Sequence, residues 1–183
     1  FPTRRSSDLE ICERISEHPP EAPGPRRLCH GDLKISNLRF DDAGRGLCLL
    51  DLDTLGYLPL VVELGDALRS WCNGNPAAED SPDGVFDVEI FAAALSGYAE
   101  RARAFLQPEE RAGLVAGVER IALELAARFA ADVVNDRYFG WSPDKFPSRR
   151  DHNLVRAQGQ LNLARSISAQ RAAAEAAVSR WLS

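Results

Sequence analysis

His30-Gly31-Asp32-Leu33-Lys34-Ile35-Ser36-Asn37 sets an aspartate five residues ahead of an asparagine, and Leu50-Asp51-Leu52-Asp53-Thr54 follows a short β-rich segment. Such a set offers oxygen atoms for two tasks. A carboxylate can orient and deprotonate an attacking hydroxyl, while an amide oxygen and a second carboxylate hold a magnesium ion against a phosphate chain. The spacing assigns the first task to Asp32 and the second to Asn37 and Asp51.

Working outward, residues 37–40 and 47–50 read as two strands, joined by the turn residues Asp41-Asp42-Ala43-Gly44-Arg45-Gly46. The Gly-x-Gly here is a turn and not a phosphate cradle, because a strand follows it and not a helix. Upstream, Ile11 and Ile15 give residues 10–17 one apolar face, and Pro19, Pro20, Pro23 and Pro25 impose an extended loop. Downstream, residues 52–62 read as a loop, a helix is predicted from about Leu64 to Cys72, and residues 73–85 read as a surface loop. The rest is helical. One helix spans Phe86–Phe105 with Phe91, Leu95 and Tyr98 on a stripe. A second runs from Pro108 to about Phe139, with a possible break at Gly113 or Gly117. A third is capped by Asp151 and ends near Trp181. The expected fold is α+β, mostly α: a helical bundle with a small β-hairpin carrying the active site.

The 183 residues are 45% hydrophobic and 27% charged, enough for one domain with a sizeable core. A net charge of -5 gives no overall attraction to nucleic acid or to an acidic membrane. No apolar run approaches the ~20 residues of a membrane span. Cys12, Cys29, Cys48 and Cys72 lack metal or redox spacing and read as reduced, buried cysteines of a cytoplasmic protein. Only two lysines stand against many arginines and alanines, a composition that suggests a bacterial genome rich in G and C.

Phe1-Pro2-Thr3-Arg4-Arg5-Ser6-Ser7-Asp8-Leu9 resembles the translation of a widely used sequencing adapter. The expectation is that residues 1–9 are foreign and that the natural sequence in hand is 10–183, beginning inside a helix.

Residues 30–37 and 50–54 resemble the C-terminal lobe of the aminoglycoside phosphotransferase and choline kinase-like superfamily, whose fold is similar to that of protein kinases. Within it the chain looks most like the N-acetylhexosamine 1-kinase branch. The closer likeness rests on Leu50–Thr54, on Glu63-Leu64-Gly65-Asp66-Ala67-Leu68-Arg69 and on His152-Asn153-Leu154-Val155-Arg156-Ala157-Gln158-Gly159-Gln160. Leu123-Glu124, Arg128-Phe129 and Tyr138-Phe139 also fit it. The resemblance spans roughly residues 10–165. It implies ATP and Mg2+ as cofactors, a small molecule with a hydroxyl as substrate and Asp32 as the catalytic base.

The same resemblance gives roles to the residues around that base. His30 packs and hydrogen-bonds beneath the metal-binding aspartate. Asp66 accepts backbone N–H groups of the catalytic loop. Asp53 supports the loop or binds a second metal, the supporting role being favoured. Lys34 reaches a phosphate or is a solvated loop lysine. Arg69, His152 and Arg156 are candidates for the acceptor pocket, with structural ion pairs as the alternative for the two arginines. The glycine-rich loop and strand lysine that grip the nucleotide in such enzymes do not precede His30. The N-terminal lobe is therefore expected to be absent, the chain alone to have little activity, and the surface near 28–55 to be apolar. Two rival readings remain: a metallohydrolase built on His30, Asp32, Asp51 and Asp53, and a non-catalytic binding domain.

Overall fold

A computed structural model describes residues 4–19, 21–75, 77 and 80–183. Residues 1–3 of the leading segment, Pro20 of the proline-rich loop, and 76, 78 and 79 of the following surface loop lie outside the described residues. The chain is mostly helical with two small antiparallel sheets. Helix α1 spans Arg4–Ser16, six residues more at its start than the isoleucine pattern predicts; Ile11 is in the core and Cys12 points out.

Strand β1 (Arg26–Cys29) leads to the loop bearing Asp32, and the predicted hairpin forms from β2 (Leu38–Phe40) and β3 (Gly46–Leu49). Residues 52–62 are not simply a loop: β4 (Gly56–Pro59) pairs with β1 from Arg26–Pro59 to Cys29–Gly56. Four residues are too few to show a strand period, and the partner lies some thirty residues upstream. Helix α2 (Leu60–Trp71) therefore begins four residues earlier than predicted, directly off the strand.

Helix α3 (Val88–Ala102) is capped by Asp87, which accepts the Glu89 and Ile90 N–H groups at 3.0 and 2.9 Å. Its stripe behaves as the sequence indicates, with Phe91 and Leu95 fully buried and Tyr98 packed beside them. Helix α4 (Pro108–Asn135) is unbroken at Gly113 and Gly117. A Cβ on Gly117 would stand 2.7 Å from the Val61 carbonyl oxygen, and one on Gly65 2.9 Å from that of Gly117. The glycines are there to let α2 and α4 touch backbone to backbone, not to break the helix.

Helix α5 (Arg149–Ala169) is capped by Ser148, whose Oγ accepts the Asp151 N–H at 3.1 Å; Asp151 sits inside the first turn. The predicted single last helix divides at Gln170, whose side chain donates to the Phe86 carbonyl at 2.7 Å, and α6 (Arg171–Leu182) continues. The core lies among α2, α3, α4, α5 and α6. Of the cysteines, Cys29 and Cys72 are buried, but Cys12 and Cys48 are exposed, the latter because every residue of β3 faces solvent. Among the described residues no helix is long and apolar enough to cross a membrane.

Candidate active site

The loop after β1 is clamped from several sides. His30 is buried, 4% exposed, and its Nε2 lies 2.8 Å from the Leu50 carbonyl. Its Nδ1 accepts the Asp32 N–H at 3.3 Å, so the proton sits on Nε2 and is donated to Leu50. The Thr54 hydroxyl donates to the His30 carbonyl at 2.7 Å. Gly31 has φ +84, and a Cβ there would stand 2.5 Å from the Thr54 carbonyl oxygen, so the position needs glycine twice over. The Trp71 indole donates to the Leu33 carbonyl at 2.9 Å.

The backbone N–H groups of His30 and Gly31 go to one carboxylate, at 2.8 and 2.9 Å, and that carboxylate is Glu63. The role assigned to Asp66 from sequence therefore belongs to Glu63, three residues earlier and one helical turn nearer the loop. Asp66 instead pairs with Arg69 at 2.9 Å. Glu63 is 7% exposed and sits in the first turn of α2, where an acidic residue suits the helix dipole, so the sequence gives it an ordinary explanation. Glu63→Ala should leave two N–H donors without their acceptor and cost ~2–3 kcal/mol. Urea unfolding checks this, with Glu63→Gln expected to lose less because one acceptor oxygen remains.

What the clamp presents is Asp32. Its carboxylate is part-exposed, 2.6 Å from Lys34 Nζ and 3.1 Å from Asn37 Nδ2, and the same amide nitrogen also donates to the Asp32 carbonyl at 2.8 Å. Asn37 is buried, and with its nitrogen engaged its oxygen is the atom it can offer a cation. Asp51 is exposed and left-handed, at φ 63 and ψ 56. Aspartate is among the few non-glycine residues that enter that region readily, as Asp136 also does after α4. Asp53 is exposed in the short 3-10 turn Leu52–Thr54. Among the described residues no three carboxylates, cysteines or histidines gather closely enough to cage a metal. Hard oxygen donors from an amide and one or two carboxylates fit Mg2+ of the kind that brings phosphate oxygens with it.

Beside Asp32 opens a cavity of about 870 Å3. Helix α2 gives it Val62, Asp66 and Arg69; α4 gives Glu124 and Arg128; the segment 138–142 and Arg156 close the far side. Lys34, Arg69 and Arg156 share one cavity with Asp32, and Arg69 is also the structural ion pair named as its alternative. His152 does not line it. Its ring is fully buried, stacked on Phe146 at 3.9 Å, with Nε2 2.8 Å from Asp80 Oδ1 and Nδ1 accepting the Ser142 N–H at 3.3 Å. It fastens the 142–146 loop to α5 and to the loop bearing Asp80, and so shapes the cavity from behind.

Burial holds the His152 pKa below its ordinary value, against the opposing pull of Asp80. The folded protein therefore binds this proton less readily than the unfolded chain. Its contribution to stability is full above the unfolded pKa of ~6.5 and is lost as pH falls toward the folded value. His18, also depressed by burial, has the same sign. Thermal unfolding at pH 7.5 and 5.5 should show a loss of stability at the lower pH that His152→Asn reduces.

Asp132 was not legible as a site residue. It is 3% exposed and gathers the N–H groups of Arg137, Tyr138 and Phe139 at 3.2, 3.0 and 2.9 Å, with the Asn153 amide at 2.9 Å. This fixes the aromatic pair against the cavity as the chain leaves α4 through left-handed Asp136. One signal was available: an acidic residue in the last turns of a helix opposes the dipole and calls for a compensating partner.

Against this geometry, a family model described as the phosphotransferase enzyme family matches residues 4–108. The match takes in α1, β1, the loop bearing Asp32, the hairpin, β4, α2 and α3, and ends where α4 begins, so the 138–156 wall of the cavity lies beyond it. No curated protein matches the chain. With more than half its length matched, including every loop residue around Asp32, the chain belongs to the phosphotransferase enzyme family.

Proposed function

We propose that the chain carries the hydroxyl-activating part of an ATP-dependent small-molecule kinase, with a sugar as acceptor in the manner of hexosamine 1-kinases. The observation that carries this reading is the position of Asp32, held by Asn37 and Lys34 at the edge of a cavity large enough for a sugar and walled by Tyr138, Phe139 and Trp141. Aromatic faces beside arginine and carboxylate edges suit a ring with apolar faces and a polar rim.

In this reading Asp32 orients the acceptor hydroxyl and takes its proton as the bond to phosphorus forms. Because the transition state is loose, holding the oxygen in line matters more than early deprotonation. Lys34 keeps the carboxylate in place in the resting site and is close enough to Asp32 to meet an incoming phosphoryl oxygen. Asn37 and Asp51 would hold Mg2+, which would neutralise charge on the phosphates. His30, Glu63 and Thr54 act through the backbone that carries Asp32.

The nucleotide needs further groups. Leu28 and Tyr57 are 66% exposed and Leu47 65%, on the strands flanking the loop, and this apolar face suits the seat of a nucleotide-binding lobe. We propose that the chain alone is a poor catalyst for that reason. The test measures phosphate transfer from labelled ATP to a hexose, a hexosamine, a sugar acid, a sugar phosphate, an aminoglycoside, choline and homoserine, by the chain alone and by the product of its gene with the upstream codons. Transfer to a sugar by the longer form supports the reading. Transfer only to an aminoglycoside or an amino alcohol replaces the sugar assignment, and no transfer to any acceptor overturns the kinase.

A further inference from the structure

The cavity beside Asp32 holds a charge imbalance that bears on its ligand. Among the described residues three carboxylates line it, and each already has a cation: Asp32 has Lys34 at 2.6 Å, Asp66 has Arg69 at 2.9 Å and Glu124 has Arg120 at 2.6 Å. Arg128 and Arg156 line the same cavity, and no carboxylate among the described residues pairs with either. In a chain of net charge -5 this is a local inversion of sign.

Both guanidinium groups are also held in orientation. Arg128 lies 5.5 Å from the Tyr138 ring centre and 5.3 Å from that of Phe139, and Arg156 lies 5.4 Å from that of Phe129. Stacking occupies their faces and leaves their edges to donate. Arg128 spends one donor on the Tyr138 hydroxyl at 3.2 Å, and Arg156 one on the Gly140 carbonyl at 2.7 Å. A planar fork with free edge donors matches an anionic oxygen group.

We infer that the acceptor pocket is built for a hydroxyl compound bearing an anionic oxygen group, a sugar acid or a sugar phosphate, held by Arg128 and Arg156 while its hydroxyl faces Asp32. This rests on the kinase reading and narrows its substrate class. A neutral hexose or N-acetylhexosamine lacks the matching charge, and a cationic hexosamine or polycationic aminoglycoside meets repulsion. The nucleotide phosphates are the other possible source of anionic oxygens. They belong with Asn37 and Asp51, neither of which lines this cavity.

The experiment titrates the product of the gene with the upstream codons, by calorimetry or amide chemical shift, with glucuronate, glucose 6-phosphate, glucose, glucosamine and Mg-ADP. At least one of the two acidic sugars should bind roughly tenfold or more tighter than glucose, and glucosamine no better than glucose, with a preference that shrinks as salt rises. Arg128→Gln and Arg156→Gln should each remove roughly tenfold of that affinity and leave Mg-ADP binding unchanged. Arg156→Lys keeps the charge and loses the fork, and covers the case in which Arg156→Gln fails to fold. Equal binding of acidic and neutral sugars, tightest binding of glucosamine, no binding of either acid, or loss confined to Mg-ADP each overturns the inference. Phosphate transfer to a neutral sugar without preference for an acid sinks this inference and leaves the kinase standing. Acid-selective binding with no transfer in the longer form does the reverse.

Discussion

Asp32→Ala, made in a form of the protein that turns over ATP and acceptor, is expected to lower turnover by ~10^2-fold or more, the scale of losing a positioned general base. Stability should hardly move. The Asp32–Lys34 pair is part-exposed on both sides, 29% and 42%, and such pairs contribute little to folding. A large kinetic loss with an unchanged Tm thus separates a chemical role from a structural one. Asp32→Asn sharpens the test, because it keeps the size and part of the contact with Asn37 but cannot take the proton. It should be nearly as slow as the alanine variant. Turnover within severalfold of normal in either variant would remove Asp32 from the mechanism and favour a binding domain.

Asp132→Ala should have the largest effect on folding. Removing the carboxylate leaves three backbone N–H groups and the Asn153 amide without their acceptor, in a position 3% exposed. The expected cost is ~2–4 kcal/mol, read as a drop in Tm of roughly 10 °C for a chain of this size. The pH dependence has a defined sign. Burial pushes the Asp132 carboxyl up, but the four donors outweigh it and hold its pKa below the ordinary value. The stability it contributes is therefore full above the unfolded pKa of ~3.9 and is lost as pH falls through the folded value. The alanine variant should show a flatter decline below about pH 4. Since the 137–139 turn carries the aromatic wall, the acceptor KM should rise more than kcat falls. An unchanged KM in a folded variant would show that the wall does not touch the acceptor.

The hairpin and the loop bearing Asp32 were legible because their information is local. Asp32, Asn37 and Asp51 sit at fixed intervals around one hairpin, and a hairpin's register follows from its own turn residues. His30 as a buried support was legible for the same reason, being tied to Leu50 across that hairpin. The stripe of α3 and the proline start of α4 were equally local. The β1–β4 pairing was not, since its four-residue strands lie some thirty residues apart and neither shows a period.

The site's outer parts divide in the same way. Glu63 and Asp66 lie three residues apart on one helix, and either carboxylate could meet the loop as far as sequence goes. Only the angle at which α2 leaves β4 gives the task to Glu63 and turns Asp66 toward Arg69. His152 and Arg156 are four apart on α5, yet one is sealed against Phe146 and Asp80 while the other reaches the cavity. By itself the sequence determined the family of this protein and the local spacing of Asp32, Asn37 and Asp51 around one hairpin, because those intervals follow from local backbone geometry. The tertiary structure alone decided which residues form the cavity and what charge it carries. That depends on how α2, α4 and α5 pack, and on a long-range balance of ion pairs that leaves Arg128 and Arg156 over.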